Sequence, residues 1–458
     1  MKELLILTMT GVIALFAEIF DFKKWLFPLV LLGLAATVGV CALDWGGNEN
    51  LYGMQTVDNY SLAFTGVICV SALLWFVMSR RYFAEKESLT DQYALVLFSL
   101  VGCFVLSSFS NLVMLFMGIE ILSIPLYVLA GSRKNDLASN EAAFKYFLLG
   151  AFASGFLLLG ITLIYGATGS FDVTKIAQFV VAHSAQPSAL LIAGILLILV
   201  GLSFKVSVAP FHFWTPDVYQ GAPTLITAFM ATIVKTAAFA GFYRLFKMAF
   251  SGVASQTEAI LCLLVALTIL LGNILAVYQS NVKRMLSYSS ISHAGFMLMS
   301  IFAIQQQMSD KAILYYAATY STASLAAFLV LYLITENDES EDIGSFNGLL
   351  RRSPLATGTM TLALLSMAGI PPLAGFFAKY LMFVNVFKQG YAALVLIAIV
   401  GSLIGVYYYF KILRAMFFKE PETPNLLIIS TEHKVVMLLT SVILIVLGLM
   451  PQLLLGLL

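Results

Sequence analysis

The sequence predicts an all-α protein that crosses a membrane many times. Hydrophobic residues make up 60% of the 458-residue chain and charged residues only 11%, whereas a soluble domain carries roughly 25% charged residues. Apolar blocks long enough for helical spans of about 20 residues follow one another along the chain. The alternation expected for strands is absent from the sequence, so a membrane β-barrel fits it poorly.

Apolar runs bounded by charges, glycine or proline define about fourteen predicted spans. In order, they lie near residues 4–20, 25–43, 60–79, 92–107, 110–130, 142–166, 189–208, 223–246, 256–278, 289–305, 312–334, 354–388, 390–412 and 434–456. The first run lacks a small-residue cleavage site and leads through Asp21-Phe22-Lys23-Lys24 into a second span. It is therefore predicted to be a retained helix and not a signal peptide.

Lysine and arginine are distributed unevenly between the connections. Connections after odd-numbered spans hold Lys23, Lys24, Arg80, Arg81, Lys86, Arg133, Lys134, Lys283, Arg284, Arg351, Arg352, Lys411, Arg414, Lys419 and Lys434. Connections after even-numbered spans hold only Lys175, Lys311 and Lys388, plus Arg244 and Lys247 at a helix end. An excess of basic residues marks the cytoplasmic side, so both termini are predicted to face away from the cytoplasm.

Two predicted spans, the seventh and the twelfth, are interrupted. Gly201-Leu202-Ser203-Phe204-Lys205 is followed by Pro210, and 354–388 contains Gly369-Ile370-Pro371-Pro372. Proline removes a backbone donor and breaks a helix. Paired broken helices of opposite direction are typical of inverted repeats. We therefore predict two inverted five-helix repeats, 92–250 and 251–415. An N-terminal three-helix segment, 1–91, precedes them, and a connecting loop with a last span, 416–458, follows them.

Several charges lie inside the predicted apolar spans: Lys145, Lys205, Lys235, Lys379 and Glu120. A charge at mid-bilayer costs at least about 2.5–3.5 kcal/mol, so these side chains are expected to face a polar interior axis beside the broken helices. Desolvation favours neutral lysine and a neighbouring carboxylate favours the charged form, which suits proton transfer. The alternative is that these charges form interior salt bridges that hold helices in register.

Other polar residues allow two interpretations each. His293, among the hydroxyls of 289–292, is either a proton relay or a hydrogen-bonded structural residue. His212 is expected to organise the loop after the seventh span, with a relay as the alternative. Glu18 lies near the end of the first span, where its side chain can reach the membrane interface.

Redox and metal chemistry have no candidate residues in this sequence. Cys41, Cys69, Cys103 and Cys262 are isolated within apolar blocks and are expected to be core residues. No Rossmann fingerprint, flavin motif, haem ligand pair or iron–sulfur cysteine set occurs, so no cofactor or metal is expected on this chain. No basic patch interleaved with aromatics suggests nucleic-acid binding; the expected surroundings are a lipid bilayer.

Four motifs resemble the antiporter-like N subunits of bacterial respiratory complex I, NADH:quinone oxidoreductase. They are 201–224, with its Ser-Phe-Lys-Val-Ser-Val-Ala-Pro-Phe-His-Phe-Trp core, Gly118-Ile119-Glu120, 281–293 and 366–372. The resemblance implies fourteen helices, inverted repeats and a proton-pumping role. It implies a Glu120–Lys205 pair, a central Lys235, a terminal Lys379 on the second broken helix, and an additional Lys145 on the sixth span.

The resemblance also implies partners and a location. Small K-like and M-like membrane-arm subunits would adjoin this chain in a bacterial cytoplasmic membrane, and NADH, FMN, Fe–S clusters and quinone would bind to other subunits. Two other functions stay open from the sequence: a stand-alone or Mrp-type cation/proton antiporter subunit, and a membrane scaffold without transport. Sodium prefers several oxygen ligands, whereas lysines dominate this interior, which favours protons.

Overall fold

The structure, a computed structural model, describes residues 2–20, 22–84, 88–421 and 426–458. It is mostly helical, and every apolar run predicted above overlaps one helix or a series of adjoining helices. Asp21 and Lys86, which the sequence analysis placed in connections, lie outside the described residues.

Eight helices precede the first interruption. They are α1 Lys2–Phe16, α2 Lys23–Leu43, α3 Asn59–Ala84, α4 Leu89–Ser108, α5 Leu112–Ala130, α6 Leu137–Thr168, α7 Val173–Ala182 and α8 Ala189–Lys205. The chain continues through α9 Trp214–Gly221, α10 Thr224–Phe229, α11 Lys235–Leu245, α12 Ala254–Val277, α13 Val282–Phe302 and α14 Ser309–Asp338. The last helices are α15 Leu349–Arg352, α16 Pro354–Ala368, α17 Ala374–Lys388, α18 Ala392–Phe418, α19 Thr431–Leu449 and α20 Gln452–Leu455.

Within the described residues, nine helical segments are long and apolar enough to cross a membrane. One of them is the continuous stretch Thr224–Val277, in which π-helical and 3₁₀ turns join α10, α11 and α12. Its 54 residues exceed the length needed to cross a hydrocarbon core about 30 Å thick. The chain is therefore a polytopic, all-α membrane protein.

Both predicted interruptions are present in the structure. After α8 ends at Lys205, the chain is not α-helical until α9 begins, and Pro210 lies between the two helices. In the second interruption, α16 ends at Ala368 and is capped by Gly369, whose φ of +85° is in the left-handed region that glycine adopts readily. Each interruption thus leaves a stretch of irregular backbone between two helices, α8 and α9 in the first case and α16 and α17 in the second.

Two elements lie in stretches that the sequence analysis treated as connections. Helix α7 buries Val173, Ile176 and Val180 on one face, and its ten residues are too few to span a bilayer. Strands β1 Glu49–Leu51 and β2 Gln55–Val57 form an antiparallel hairpin between α2 and α3. Both elements are short, so a search for span-length apolar blocks does not detect them.

Two connections share one hydrogen-bonding pattern. Asn111, which caps α5, pairs antiparallel with Asp172 after α6; Asn281, which caps α13, pairs in the same way with Asp342 after α14. In each case the two backbone hydrogen bonds join the residues flanking these pairs. The connection that joins the start of α5 to the end of α6 therefore resembles the one that joins the start of α13 to the end of α14. Helix α14 lies at the centre, with its whole apolar stretch buried.

Candidate functional site: a line of buried lysines

Lys205 lies at the C-terminal end of α8, next to the first interruption, and is only 7% exposed. Its Nζ atom donates hydrogen bonds to the hydroxyl of Ser123 on α5 (2.7 Å) and to the hydroxyl of Tyr146 on α6 (3.3 Å). Both partners are neutral. The break that ends α8 places this ammonium group between α5 and α6.

Glu120, which the resemblance pairs with Lys205, makes no direct contact with it within the described part of the chain. It accepts a hydrogen bond from the Ser154 hydroxyl of α6, and among the described residues no ion pair within 4 Å joins it to Lys205. The reason is helical geometry. Ser123 is one turn after Glu120 on the same face of α5 and occupies the position closest to the lysine. The two charges therefore share a helix face without touching.

Lys235 is the central lysine and is 2% exposed. It follows the π-helical turn Met230–Val234, a kind of irregularity often found at functional sites. Its Nζ atom donates to the backbone carbonyl of Ser290 on α13 (2.8 Å) and to the hydroxyl of the same residue. No carboxylate lies within 4 Å of this Nζ atom in the described part of the chain.

Lys379 lies on α17, just after the second interruption, and is 5% exposed. Its Nζ atom donates to the carbonyl of Ala368 at the end of α16 (3.0 Å) and to the hydroxyl of Ser402 on α18 (2.8 Å). It also lies 4.8 Å from the centre of the Phe296 ring. The broken helix supplies one of its acceptors, because the last carbonyls of a helix have no partner within that helix.

His293 connects the central and terminal lysines. It lies one turn after Ser290 on α13, is 4% exposed, and its ring nitrogens contact the hydroxyls of Tyr316 (2.7 Å) and Tyr409 (3.3 Å). Phe296 follows one turn later and contacts Lys379. Three successive positions on one face of α13 thus contact Lys235, the tyrosines and Lys379 in turn.

Two small cavities border this line of residues. One, of about 10 Å³, is bounded by Lys205, Ser123 and Ser154; the other, of similar volume, is bounded by His293 and Tyr316. A volume of this size holds about one water molecule, which needs two to four polar partners. The hydroxyls present supply such partners, so each cavity suits a single bridging water.

Lys145 differs from the other three lysines because its side chain is not buried, and its part in proton transfer stays a prediction. Its side chain is 38% exposed and forms ion pairs with Glu141 (2.7 Å) and Asp217 (2.8 Å). It lies in the third turn of α6, which begins at Leu137, five residues earlier than the predicted span. The added N-terminal turns of α6 are partly polar and carry Glu141, so Lys145 reaches an acid in its own helix as well as one on α9.

A buried cation near Lys145 and Asp217 was not predicted from the sequence. Lys283, placed above in a connection, has a side chain 2% exposed and forms an ion pair with Glu341 (3.0 Å). It also donates to the carbonyls of Gln220 and Ala222 at the end of α9. Its neighbour Arg284 reaches Asp217 (3.0 Å). A helix C-terminus attracts cations. The polar end of α9 is therefore the signal that could have identified Lys283 and Arg284 as its partners.

Asp217 is the centre of this ionic cluster, which comprises Lys145, Glu141, Asp217, Lys283, Arg284 and Glu341. Burial raises the pKa of Asp217, but hydrogen bonds from Lys145 and Arg284 outweigh that effect and bring the pKa below its ordinary value. The carboxylate is therefore held in its charged form and ties α6, α9 and α13 together.

The remaining charged residues that bear on the site are also paired. Arg244 contacts Asp58 (3.0 Å), and Lys247 contacts Asp310 (3.1 Å). Glu18 is half exposed and pairs with Lys23 (2.7 Å), as expected for an acid at the membrane interface. The His212 ring stacks on Phe213 and is 4% exposed, within the loop after the first interruption.

Fold and site together define a polytopic membrane protein with a lysine-rich interior, and its sequence and fold are similar to those of known proteins. The profile of the family described as "NADH:quinone oxidoreductase/Mrp antiporter, TM" matches residues 110–405. NADH-quinone oxidoreductase subunit N from Cytophaga hutchinsonii is 44% identical, over 99% of each chain. Its counterpart from Nitrosomonas europaea is 36% identical, over 99% of this chain and 95% of its own length.

Solved structures agree with the sequence comparisons. A chain of respiratory complex I from Thermus thermophilus superposes with a TM-score of 0.86 at 36% identity, covering 99% of this chain and 98% of its own. A chain of the Mrp complex from Dietzia, 21% identical, also reaches 0.86, over 99% of this chain and 94% of its own; that likeness shows a shared fold. The chain belongs to the NADH:quinone oxidoreductase/Mrp antiporter family, on the branch of the N subunits of NADH-quinone oxidoreductases.

Proposed function

We propose that this chain is an antiporter-like subunit of the membrane arm of an NADH:quinone oxidoreductase and that it moves protons along its buried charged residues. The carriers are Glu120, Lys205, Lys235 and Lys379, with His293 as a relay between the last two lysines. Electron transfer takes place on other subunits, which hold NADH, FMN, Fe–S clusters and quinone. The relatives that carry the name subunit N support this assignment.

One observation carries the proposal. Three lysines are each less than 10% exposed: Lys205, Lys235 and Lys379. Their hydrogen-bond partners among the described residues are nevertheless hydroxyls and carbonyls. No carboxylate among the described residues lies within 4 Å of their Nζ atoms. A buried cation that serves to hold helices together is normally paired with an acid. A lysine with neutral partners can release its proton without leaving a buried carboxylate unpaired.

The order of the residues gives a path. Tyr146 contacts Lys205 and stacks on Trp214, whose ring centre lies 5.9 Å from that of Tyr219. Tyr219 in turn forms a side-chain hydrogen bond with Ser290, the residue that accepts from Lys235. From there the path follows α13 through Ser290 and His293 to Lys379. Two or more lysines in such a row titrate as a coupled system and exchange protons through water or hydroxyls.

We further propose fourteen crossings and two inverted repeats, 92–250 and 251–415, after an N-terminal segment 1–91 and before a last span within 416–458. The matched pairs Asn111–Asp172 and Asn281–Asp342 support this division. Five crossings separate Asn111 from Asn281 in this scheme. The odd number puts the two pairs on opposite faces of the membrane, which is the relation expected of inverted repeats.

The proposal includes a setting. The chain lies in the bacterial cytoplasmic membrane with both termini away from the cytoplasm, since the basic connections mark the cytoplasmic side. Its neighbours are K-like and M-like membrane-arm subunits. As part of the assembly it takes part in a proton-pumping oxidoreductase reaction, and it contributes the proton path and no redox step.

The deciding experiment replaces Lys235 with methionine, which keeps the side-chain length and removes the charge. In membrane vesicles containing the assembled complex, we expect Lys235→Met to abolish or strongly reduce NADH-driven proton uptake. Co-purification of the redox subunits measures assembly separately. The matched control is Lys175→Met on the exposed face of α7, which should pump normally. Normal pumping by an assembled Lys235→Met complex would refute the proposed path.

The same vesicles distinguish protons from sodium. If the lysines carry protons, we expect NADH-driven proton uptake to stay unchanged when sodium ions are replaced by choline. A requirement for sodium would favour the Mrp-type alternative, and an unchanged proton yield in variants of all three lysines would favour a scaffold.

A further inference from the structure

Two buried polar atoms without partners lie on α17 beyond Lys379. They are the Nδ2 atom of Asn385 and the Oε1 atom of Gln389, and neither has a hydrogen-bond partner among the described residues. Asn385 is only 2% exposed. The two residues are one helical turn apart and share a face of α17. One atom is a donor and the other an acceptor, and buried polar groups normally have a partner. A water molecule between them satisfies both.

A cavity of about 90 Å³ lies at the end of this face. Gln389 lines it together with Glu258 of α12 and Gln305, which follows α13. The Nε2 atom of Gln389 donates to the carboxylate of Glu258 (3.1 Å) and to the carbonyl of Phe302 (3.3 Å). About 10–15 Å³ is enough for one water molecule, so this cavity has room for several. Gln305 and Ser255 line the cavity and are exposed, so it reaches the protein surface.

Helix α13 runs beside the same part of α17. The ring of Phe296 lies 4.8 Å from the Nζ atom of Lys379. One turn further along α13, the hydroxyl of Ser300 bonds to the sulfur atom of Met382 (2.9 Å). Met382 is completely buried and lies midway along α17 between Lys379 and Asn385. Its unbranched side chain adapts its shape easily, so it can both close this route and open it.

We propose that the α13–α17 seam, formed by Phe296, Ser300, Met382, Asn385 and Gln389, is the route by which protons leave Lys379. Glu258 is the carboxylate that passes them to the aqueous phase. The inference rests on the function proposed above.

The proton transfer uses only water and these side chains. The ammonium group of Lys379 gives a proton to a water molecule at Asn385, and the lysine is left neutral. Another proton passes from the row of water molecules to the carboxylate of Glu258, which then releases it to bulk water. Gln389 holds that carboxylate at the cavity through its Nε2 atom. Lys379 takes its next proton from the side of His293.

The connections around the cavity give the direction of release. Its lining includes residues 246 and 250 between α11 and α12, residues 304 and 305 after α13, and Gln389 after α17. In the proposed topology these connections follow even-numbered spans. They hold few basic residues, which is typical of the side away from the cytoplasm. The route therefore leads from the lysine line to the non-cytoplasmic face.

Two substitutions of Asn385 separate a water route from a packing role. Asn385→Leu fills the position with apolar atoms, whereas Asn385→Ser leaves space for water and keeps a hydroxyl. We expect Asn385→Leu to slow NADH-driven proton uptake about tenfold, the effect of losing one hydrogen bond on the route, and Asn385→Ser to keep most of the uptake. Co-purification of the redox subunits measures assembly. Equal loss in both variants would indicate packing, and normal uptake by Asn385→Leu would also overturn the route.

Glu258→Gln tests the release group. We expect slower proton uptake by the assembled complex and recovery in Glu258→Asp, which keeps the carboxylate. The control is Glu336→Gln, at an exposed position of α14 away from the cavity, which should pump normally. Normal uptake by Glu258→Gln would refute the role of Glu258.

Lys379→Met separates the failure of this route from the failure of the proposed function. If Lys379→Met abolishes uptake while Asn385→Leu and Glu258→Gln pump normally, the lysine line stands and the α13–α17 seam is not its outlet. Normal pumping by an assembled Lys379→Met complex would count against both.

A cryo-electron microscopy map of the assembled complex, at a resolution that shows ordered water, tests the route without measuring transport. We expect a water molecule within hydrogen-bond distance of both Asn385 Nδ2 and Gln389 Oε1, and others beside Glu258. A dry contact between Asn385 and Gln389 would refute the route.

Discussion

Lys235 and Lys283 are equally buried, each with a side chain almost fully excluded from solvent, yet their partners differ. Lys283 has an ion pair with Glu341 and two helix-terminal carbonyls. Lys235 has the hydroxyl and carbonyl of Ser290. Burial alone therefore does not separate a structural cation from a proton carrier. We propose that the hydrogen-bond partner separates the two, because an adjacent carboxylate keeps the lysine charged.

The same division holds for the larger groups to which these residues belong. The ionic cluster around Asp217 and Lys283 joins α6, α9 and α13, with an acid available to each cation. The lysine line, Lys205, Lys235 and Lys379, has neutral partners. We expect substitutions in the first group to affect stability and assembly, and substitutions in the second to affect transport.

The largest effect is expected from Lys283→Met. Removing one partner of a buried pair leaves Glu341 charged and poorly solvated, which costs about 3–5 kcal/mol of folding free energy. We expect a lower thermal midpoint of the purified complex and less assembled complex in the membrane. Lys235→Met should change stability little, since it leaves no buried acid behind. Equal destabilisation by the two variants would break the comparison.

Ser290→Ala should have the next largest effect. A hydrogen bond to a charged group is worth about 1.5–3 kcal/mol, so losing this hydroxyl should slow proton uptake about tenfold while assembly stays normal. Ser287→Ala is the control, because the hydroxyl of Ser287 bonds to a backbone carbonyl of its own helix. If both variants pump equally well, Ser290 does not serve Lys235.

Asp217→Asn should destabilise the protein by about 1 kcal/mol, because its two ion pairs are partly exposed and each is worth about 0.2–1 kcal/mol. The pKa of Asp217 is lowered in the folded state, so its contribution is present above the unfolded-state pKa of about 3.9 and is lost as pH falls through the lower folded value. Thermal midpoints measured from pH 7 to pH 3 should converge at the acidic end. A difference that grew with acidity would contradict this assignment.

Lys145→Gln should have the smallest effect. Its side chain is 38% exposed, so we expect a stability change below about 1 kcal/mol and proton uptake within twofold of the wild type. Strong loss of pumping in an assembled complex would place Lys145 with the transport lysines and show that an acidic partner does not exclude a transport role.

Much of the architecture was predictable because membrane insertion depends on local composition. Each predicted apolar run overlaps one or more helices in the structure. Pro210 and Gly369 lie at the two interruptions. The short helix α7 and the β1–β2 hairpin were missed because neither has the length of a span. The start of α6 was placed too late because residues 137–141 are polar in part, although Asp136 caps the helix there.

The candidate site was predictable in its residues and only partly in its contacts. Lys205, Lys235 and Lys379 were identified as buried, since a charge within a long apolar run has few other places to lie. Their acceptors Ser123, Ser290 and Ser402 carry no comparable signal, because serine is common in membrane helices. The sequence does not show that Glu120 stays out of contact with Lys205 or that Lys145 is partly exposed, because one helical turn decides which side chain is nearest.

The sequence by itself determined the membrane class, the positions of the apolar helices, the two interruptions and the depth of three lysines, since each follows from hydropathy and backbone chemistry within about 20 neighbouring residues. Only the tertiary structure decided which buried cations have acids beside them. Glu341 reaches Lys283, and Ser290 reaches Lys235, from distant parts of the chain. Charge state in a dry interior depends on such neighbours at 3 Å, and helix packing, not local sequence, brings them together.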